Sequence, residues 1–162
     1  MDLIQRLFDY AHIDFNPPHK PPKIPAVIIA TLLSIIGSLL ADAILVAIGE
    51  LIFPSTKGYQ HFQFADYSKL TIIGVVIAGI GWPIVARLST YPRWLYFRLA
   101  IVVTIVLLLP DVAILVMGQP FSAVFILVLM HLAIAVVTYN AMVRLAPVRR
   151  LRRRRRNQPE EI

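Results

Sequence analysis

Residues 24–52 read IPAVIIATLLSIIGSLLADAILVAIGELI, an apolar run interrupted by two charged side chains, Asp42 and Glu50. As a helix rising 1.5 Å per residue, this run would be about 43 Å long, more than the ~30 Å of hydrocarbon in a bilayer. Ala41 and Ala43 also fit a signal-peptide cleavage site, but the run is too long for a signal-peptide core and continues beyond that site. The stretch therefore predicts a retained transmembrane helix.

Three further apolar runs follow, at residues 70–86, 99–117 and 121–143. The chain of 162 residues is 58% hydrophobic and 15% charged, with a mean hydropathy of +0.73. A water-soluble domain of this size cannot bury so much apolar surface, so we expect an all-α integral membrane protein, a four-helix bundle over residues 26–146. The predicted helices are 25–52, 69–87, 98–117 and 121–144. The second is the shortest, which leaves a re-entrant hairpin open as an alternative.

Positive charge is unevenly distributed over this predicted topology. Of the 16 Lys and Arg residues, all except Lys57 and Lys69 fall on the side that holds both chain ends and the second loop. Loops rich in Lys and Arg stay in the cytoplasm. The distribution therefore predicts a multi-pass protein of the plasma membrane with both termini in the cytoplasm.

The segments outside the bundle have three compositions. Residues 1–16 predict a short amphipathic cytoplasmic helix, which would either lie on the membrane or dock into a partner. Residues 17–25 contain five prolines and predict an extended, stiff spacer, with an SH3-type ligand as the weaker alternative. Residues 147–162 form a basic tail, whose arginines are expected to bind anionic lipid head groups of the inner leaflet: Arg149, Arg150, Arg152, Arg153, Arg154, Arg155 and Arg156.

Three ionisable residues fall inside predicted spans, where a charge is costly and needs a reason. Counted from the cytoplasmic ends of their helices, Asp42, Asp111 and His131 all lie about 20–25 Å deep. Their similar depth predicts one polar cluster in the bundle interior. It would act as a structural clasp between helices, as a proton or cation relay or small-molecule site, or as a contact with another subunit.

Small residues indicate which helix faces pack together, because they let helices approach closely where hydrophobic contrast is absent. On the first helix Ser34 and Ser38 lead at steps of four to Asp42, with Gly37 beside them; on the second we expect a strip of Gly74, Ala78 and Gly81. Pro110 removes a backbone hydrogen bond beside Asp111 and predicts a kink in the third helix.

Several function classes find no support in the sequence. There are no cysteines, so disulfides and thiolate metal sites are excluded. No catalytic motif is present, no cofactor or metal site is expected, and His61 in the outer loop has no evident partner. The net charge of +7 is concentrated in the tail beside a membrane span, which favours lipid over nucleic acid as its partner. We therefore do not expect an enzyme, although a membrane enzyme is a third alternative.

The second half of the chain resembles a family of small four-span membrane proteins of unknown function, found mainly in actinobacteria. The resemblance is carried by AGIGW at 78–82, ARL at 86–88, PR at 92–93, LP at 109–110 and MHL at 130–132. It implies the four-helix layout and supplies no biochemistry. Asp111, the proline-rich segment and the arginine tail depart from the family pattern.

Two function hypotheses follow from these features. The leading one is a non-enzymatic accessory or subunit protein that packs against larger membrane machinery, or against copies of itself, because short loops leave little room for a catalytic domain. The alternative is a small transporter or proton or ion relay that uses Asp42, Asp111 and His131.

Overall fold

The computed structural model describes residues 13–14 and 17–150. It contains four long helices, two short 3₁₀ turns and one pair of two-residue strands. In chain order these are β1 (His19–Lys20), α1 (Ile24–Ile52), 3₁₀ turns at Pro54–Thr56 and Gln60–Phe62, α2 (Phe64–Leu88), α3 (Pro92–Val116), α4 (Phe121–Leu145) and β2 (Arg149–Arg150). The predicted amphipathic helix at 1–16 and the arginines from 152 onward lie almost wholly outside the described residues.

All four helices are long and apolar enough to cross a membrane, each having 25 or 29 residues. Much of their apolar surface faces outward; Ile36, Leu40 and Val102, for example, are more than half exposed. Such surfaces are stable in hydrocarbon and unfavourable in water. The prediction of an all-helical, multi-pass transmembrane bundle is confirmed.

Two helices begin earlier than the hydropathy pattern predicts. α2 begins at Phe64 instead of residue 69, and α3 begins at Pro92 instead of residue 98. Pro92 occupies the first helical turn, where its fixed φ and missing N–H favour a helix start. The first turn of α2 buries Tyr67 and Ser68 against the bundle, so packing extends this helix beyond its most apolar part.

Consecutive helices run in opposite directions, which gives the bundle two ends. We call the end with residues 53–63 and the α3–α4 turn the loop end, and the opposite end the terminal end. At the terminal end, Trp82 is fully buried and its Nε1–H donates to the carbonyl of Ala146 at 2.7 Å. Trp82 belongs to an apolar core cluster with Ala30, Val85, Tyr96, Met142, Val143 and Ala146. A second cluster at the loop end contains Phe62, Tyr67, Ala123, Ile126, Leu127 and Met130.

The chain segments outside the helices close the terminal end. β1 pairs with β2 in antiparallel register, and the Arg149 Nε–H donates to the carbonyl of Pro21 at 3.0 Å. An isolated bridge joins Ile13 to Ser89 in the α2–α3 turn. Part of the proline-rich segment, His19–Lys20, therefore contacts the chain that follows α4.

Small residues do bring helices together, at different positions from some of those expected. α1 buries Ser34 and Ser38, and a Cβ built on Gly37 would lie 3.1 Å from Val137 Cγ1. On α2 the close contact is at Gly79, where a Cβ would overlap the Thr31 hydroxyl of α1. The predicted packing role of Gly74 and Gly81 is corrected, because a Cβ at either position meets open space. Ala78 is half-buried, and its carbonyl accepts a hydrogen bond from Tyr96 at 3.1 Å.

Substitution of Gly79 tests this close approach of α1 and α2. We expect Gly79→Ala to lower the free energy of unfolding by about 1–3 kcal/mol, since the added methyl overpacks a helix contact. Gly81→Ala is the matched control on the same helix. There the loss of glycine's backbone freedom in the unfolded chain should raise the free energy of unfolding by up to about 1 kcal/mol. Unfolding in mixed detergent micelles measures the free energy of unfolding of both variants. Equal values for the two variants would contradict the close contact between Gly79 and Thr31.

Candidate functional site

The most polar part of the bundle interior lies in the loop-end half and receives one side chain from each helix. Asp42 comes from α1, Thr71 from α2, Asp111 from α3 and His131 from α4. Asp42 is fully buried and Asp111 is 6% exposed. Counted along their helices, the four residues lie about 8–15 Å from the loop end. We call these four residues the polar site.

Asp111 and His131 form an interhelical pair. His131 Nδ1 lies 3.0 Å from Asp111 Oδ2 and also 3.0 Å from the carbonyl oxygen of Leu127, one turn earlier in α4. A ring nitrogen carries at most one proton, so an Nδ1–H bond can be aligned with only one of these two acceptors. The aligned partner is the Leu127 carbonyl, and Asp111 Oδ2 accepts no aligned hydrogen bond within the described part of the chain.

Asp42 has one satisfied and one unsatisfied oxygen. The Thr71 hydroxyl donates to Asp42 Oδ2 at 2.8 Å, whereas Oδ1 is buried without a hydrogen-bond partner among residues 13–14 and 17–150. A buried carboxylate oxygen without a donor is costly, because water would otherwise provide hydrogen bonds to it.

A row of hydroxyls continues from Asp42 towards the terminal end. Ser38 lies one turn away on the same face of α1, and its buried Oγ has no partner among the described residues. One turn further, the Ser34 hydroxyl donates to Thr138 Oγ1 of α4 at 3.0 Å. The row ends at the apolar terminal-end cluster, where Ala30 and Trp82 are fully buried. Buried hydroxyl groups therefore extend from the polar site to Ser34 and Thr138, next to the terminal-end cluster.

Two further predictions concern Pro110 and metal binding. Pro110 is exposed, and α3 continues through it to Val116 without a break. In the part of the chain that the structure describes, no group of three acidic, His or Cys side chains is placed to hold a metal ion.

No family model, no curated protein and no solved structure matches this chain. The family resemblance carried by residues 78–132 consequently stays a prediction. The polar site is interpreted below from its own geometry.

The structure also contains groups that the sequence did not single out. Thr71 is one of them. It lies seven residues, or about two helical turns, before Ala78 and therefore on the same face of α2, so the sequence spacing could have indicated it. The other is Asp66, the partner that the sequence analysis did not find for His61: His61 Nδ1 lies 2.9 Å from Asp66 Oδ2. Their separation of five residues spans the start of α2, so no regular helix spacing indicates the contact.

Proposed function

We propose that this protein is a small proton relay of the membrane, in which Asp111, His131 and Asp42 take up and pass on protons. The observation that carries the proposal is the position of His131 Nδ1 between two acceptor oxygens. This nitrogen is equidistant, at 3.0 Å, from a carboxylate oxygen and a backbone carbonyl oxygen. A proton moving onto Asp111 Oδ2 would give that oxygen a hydrogen to donate, and Nδ1 would become its acceptor.

A purely structural clasp between the helices is the competing interpretation, and the buried polar atoms without hydrogen-bond partners disfavour it. Buried polar groups that only hold a structure together are almost always fully hydrogen-bonded, because a partly satisfied network is less stable than an apolar core. Asp42 Oδ1 and Ser38 Oγ both lack a hydrogen-bond partner among the described residues. Unsatisfied carboxylate oxygens next to an imidazole are suited to exchanging protons, since each can alternate between acceptor and donor.

Purified full-length protein in lipid vesicles tests the relay directly. We expect a pH gradient imposed across vesicles that contain the protein to decay faster than across protein-free vesicles, as followed by a trapped pH-sensitive dye. Equal decay rates would refute the relay.

We also propose an orientation with both termini in the cytoplasm, in a plasma membrane. The uneven placement of Lys and Arg supports this, because Arg87, Arg93, Arg98 and Arg144 all lie towards the terminal end. In this orientation the arginine tail faces anionic inner-leaflet lipids. The polar site then lies in the outer half of the membrane.

We propose a second function, as an accessory subunit of a larger membrane assembly, from a different feature. An apolar groove of about 400 Å³ runs between α3 and α4. Its lining includes Phe97, Ala100, Thr104, Leu132, Ala135 and Tyr139. α3 packs less extensively than its neighbours, with few buried residues along its length. Small residues in the groove favour close approach by a transmembrane helix of a partner protein.

Filling the groove tests the accessory role. We expect wild-type protein extracted with its native lipids to form a complex heavier than the 18.2 kDa chain, and the double variant Ala100→Leu, Ala135→Leu to lose that complex. Val102→Leu is the control, because Val102 is exposed on α3 and does not line the groove. A wild-type mass equal to that of the single chain would contradict this function.

A further inference from the structure

A short sheet at the terminal end connects the chain before the first helix with the chain after the last. β1 directly precedes α1 and β2 directly follows α4 in the order of elements. The two strands pair in antiparallel register, and His19 Nε2 lies 3.0 Å from the carbonyl oxygen of Ala86 in α2. This contact attaches the sheet to the bundle where the helices leave the hydrocarbon. We call β1 and β2 the terminal sheet.

The register of the terminal sheet places two cations opposite each other. Lys20 pairs with Arg149, and both side chains are exposed. Directly opposite residues of an antiparallel pair point to the same face, with their Cβ atoms about 4.5–5.5 Å apart, and like charges in these positions destabilise the pairing. Neither side chain forms an ion pair with a carboxylate in the described ranges 13–14 and 17–150. The sheet therefore favours an anion that lies between the two side chains.

The Arg149 side chain is held in place for such an anion. Its Nε–H donates to the carbonyl of Pro21 in the neighbouring segment at 3.0 Å, which fixes the guanidinium beside β1. The two Nη groups can then donate parallel hydrogen bonds to a pair of anionic oxygens, while the Lys20 ammonium adds a compact charge from the opposite strand. A planar fork and a point charge together are suited to a phosphate group.

The surroundings of the terminal sheet are also positively charged. Lys23, Arg87 and Arg144 are exposed at the same end of the bundle. Asp14 is the only acidic side chain that the described residues place there, and the Thr90 hydroxyl donates to its Oδ2 at 3.3 Å. Because this end lies at a membrane surface, lipid head groups are the nearest source of phosphate.

We propose that the phosphate group of an anionic phospholipid bridges Lys20 and Arg149 and stabilises the terminal sheet. This inference rests on the proposed placement of the terminal end among anionic lipids, and it adds the residues that bind one of them. It requires neither the proton relay nor the accessory role. The bound phosphate places a negative charge between two cations, so lipid binding and the pairing of β1 with β2 favour each other.

A double-mutant cycle distinguishes a shared phosphate from two independent surface charges. Native mass spectrometry of the full-length protein in maltoside micelles measures the affinity for added phosphatidylglycerol. We expect Lys20→Gln and Arg149→Gln each to weaken the tightest binding about tenfold, the loss of one hydrogen bond between charged groups. The double variant should also bind about tenfold more weakly, because either substitution alone already breaks the bridge.

Lys20→Gln combined with Arg144→Gln is the matched control, since Arg144 lies at the same end but outside the terminal sheet. Two independent charges should there weaken binding by the product of their single effects. A loss of about 100-fold in the double variant of Lys20 and Arg149 would overturn the bridge, as would undetectable binding of phosphatidylglycerol to wild type.

Lys20→Glu gives a second test, by thermal unfolding in lipid-free micelles. Its carboxylate would face Arg149 across the sheet and take the place of the phosphate. We expect a melting temperature above that of wild type without lipid, and a smaller increase when phosphatidylglycerol is added. A melting temperature below that of wild type would overturn the proposed repulsion between Lys20 and Arg149.

Inorganic phosphate distinguishes the sources of the phosphate group. At equal concentration it should raise the melting temperature of wild type less than phosphatidylglycerol does, because acyl chains hold the lipid at the protein surface. An equal increase would overturn a lipid as the occupant. Micelles have no inner and outer side, so failure of the bridge leaves the proposed orientation untouched. Cleavage of the termini by protease added outside intact cells tests that orientation separately.

Discussion

Replacing Asp111 by Asn is expected to lower proton conduction through vesicles containing the protein at least about 100-fold, to the rate of protein-free vesicles. Asn has nearly the same shape as Asp, but its amide neither binds nor releases a proton near neutral pH. The change therefore removes proton exchange while keeping the side chain that fills the α3–α4 interface. The trapped-dye measurement described above gives the rate for each variant.

Two further variants make this result specific. Glu50→Gln removes a carboxylate from the last turn of α1, away from the polar site, and should conduct like wild type. Asp111→Glu retains an ionisable group and should restore part of the conduction. If Asp111→Asn reduces thermal stability but leaves conduction per folded molecule unchanged, the Asp111–His131 pair is a clasp between α3 and α4, and the relay is refuted.

Trp82→Ala is expected to cause the largest loss of stability, about 3–5 kcal/mol in the free energy of unfolding. Trp82 is fully buried in the terminal-end cluster, and its ring centroid lies 5.0 Å from that of Tyr96. Truncation leaves a cavity and also removes the donor to the Ala146 carbonyl, which is then buried without its partner. Denaturant titration in mixed micelles measures the loss.

A conservative variant separates the cost of the cavity from the cost of the lost hydrogen bond. Trp82→Phe retains an aromatic ring and loses the indole N–H, so it should cost about 1–3 kcal/mol, the usual cost of one unsatisfied buried group. Trp94→Ala is the control at the same end of the bundle, where Trp94 is only half-buried with the Arg98 guanidinium 4.0 Å above its ring. Should Trp82→Ala unfold like the Trp94 variant, the terminal-end cluster would not be the principal core of the bundle.

Local patterns in the sequence determined the main architecture. Four apolar runs gave four helices, because a segment in hydrocarbon satisfies its backbone hydrogen bonds only as a helix or within a closed barrel. The repeat of Ser34, Ser38 and Asp42 at steps of four also indicated the inner face of α1, and all three residues are fully buried. Such periodicity is a property of one helix and needs no knowledge of its neighbours.

Helix ends were less predictable than helix existence. The residues before Lys69 and before Arg98 contain charged or aromatic side chains, which lower the hydropathy signal although the helices continue through them. Tyr67 and Tyr96 are buried against other helices, so their positions depend on contacts between distant parts of the chain. Similarly, the sequence contains Gly74, Gly79 and Gly81 on one helix, and only packing against Thr31 shows that Gly79 is the contact.

The sequence by itself determined that this chain spans a membrane with four helices and that Asp42, Asp111 and His131 lie at similar depths. Only the tertiary structure decided their partners: Thr71 for Asp42, and both Asp111 and the Leu127 carbonyl for His131. The physical reason is that hydrocarbon is as apolar as a leucine side chain, so burial does not fix how a mostly apolar helix rotates about its axis. Side-chain interdigitation and a few interhelical hydrogen bonds fix that rotation, and both exist only once the helices have packed together.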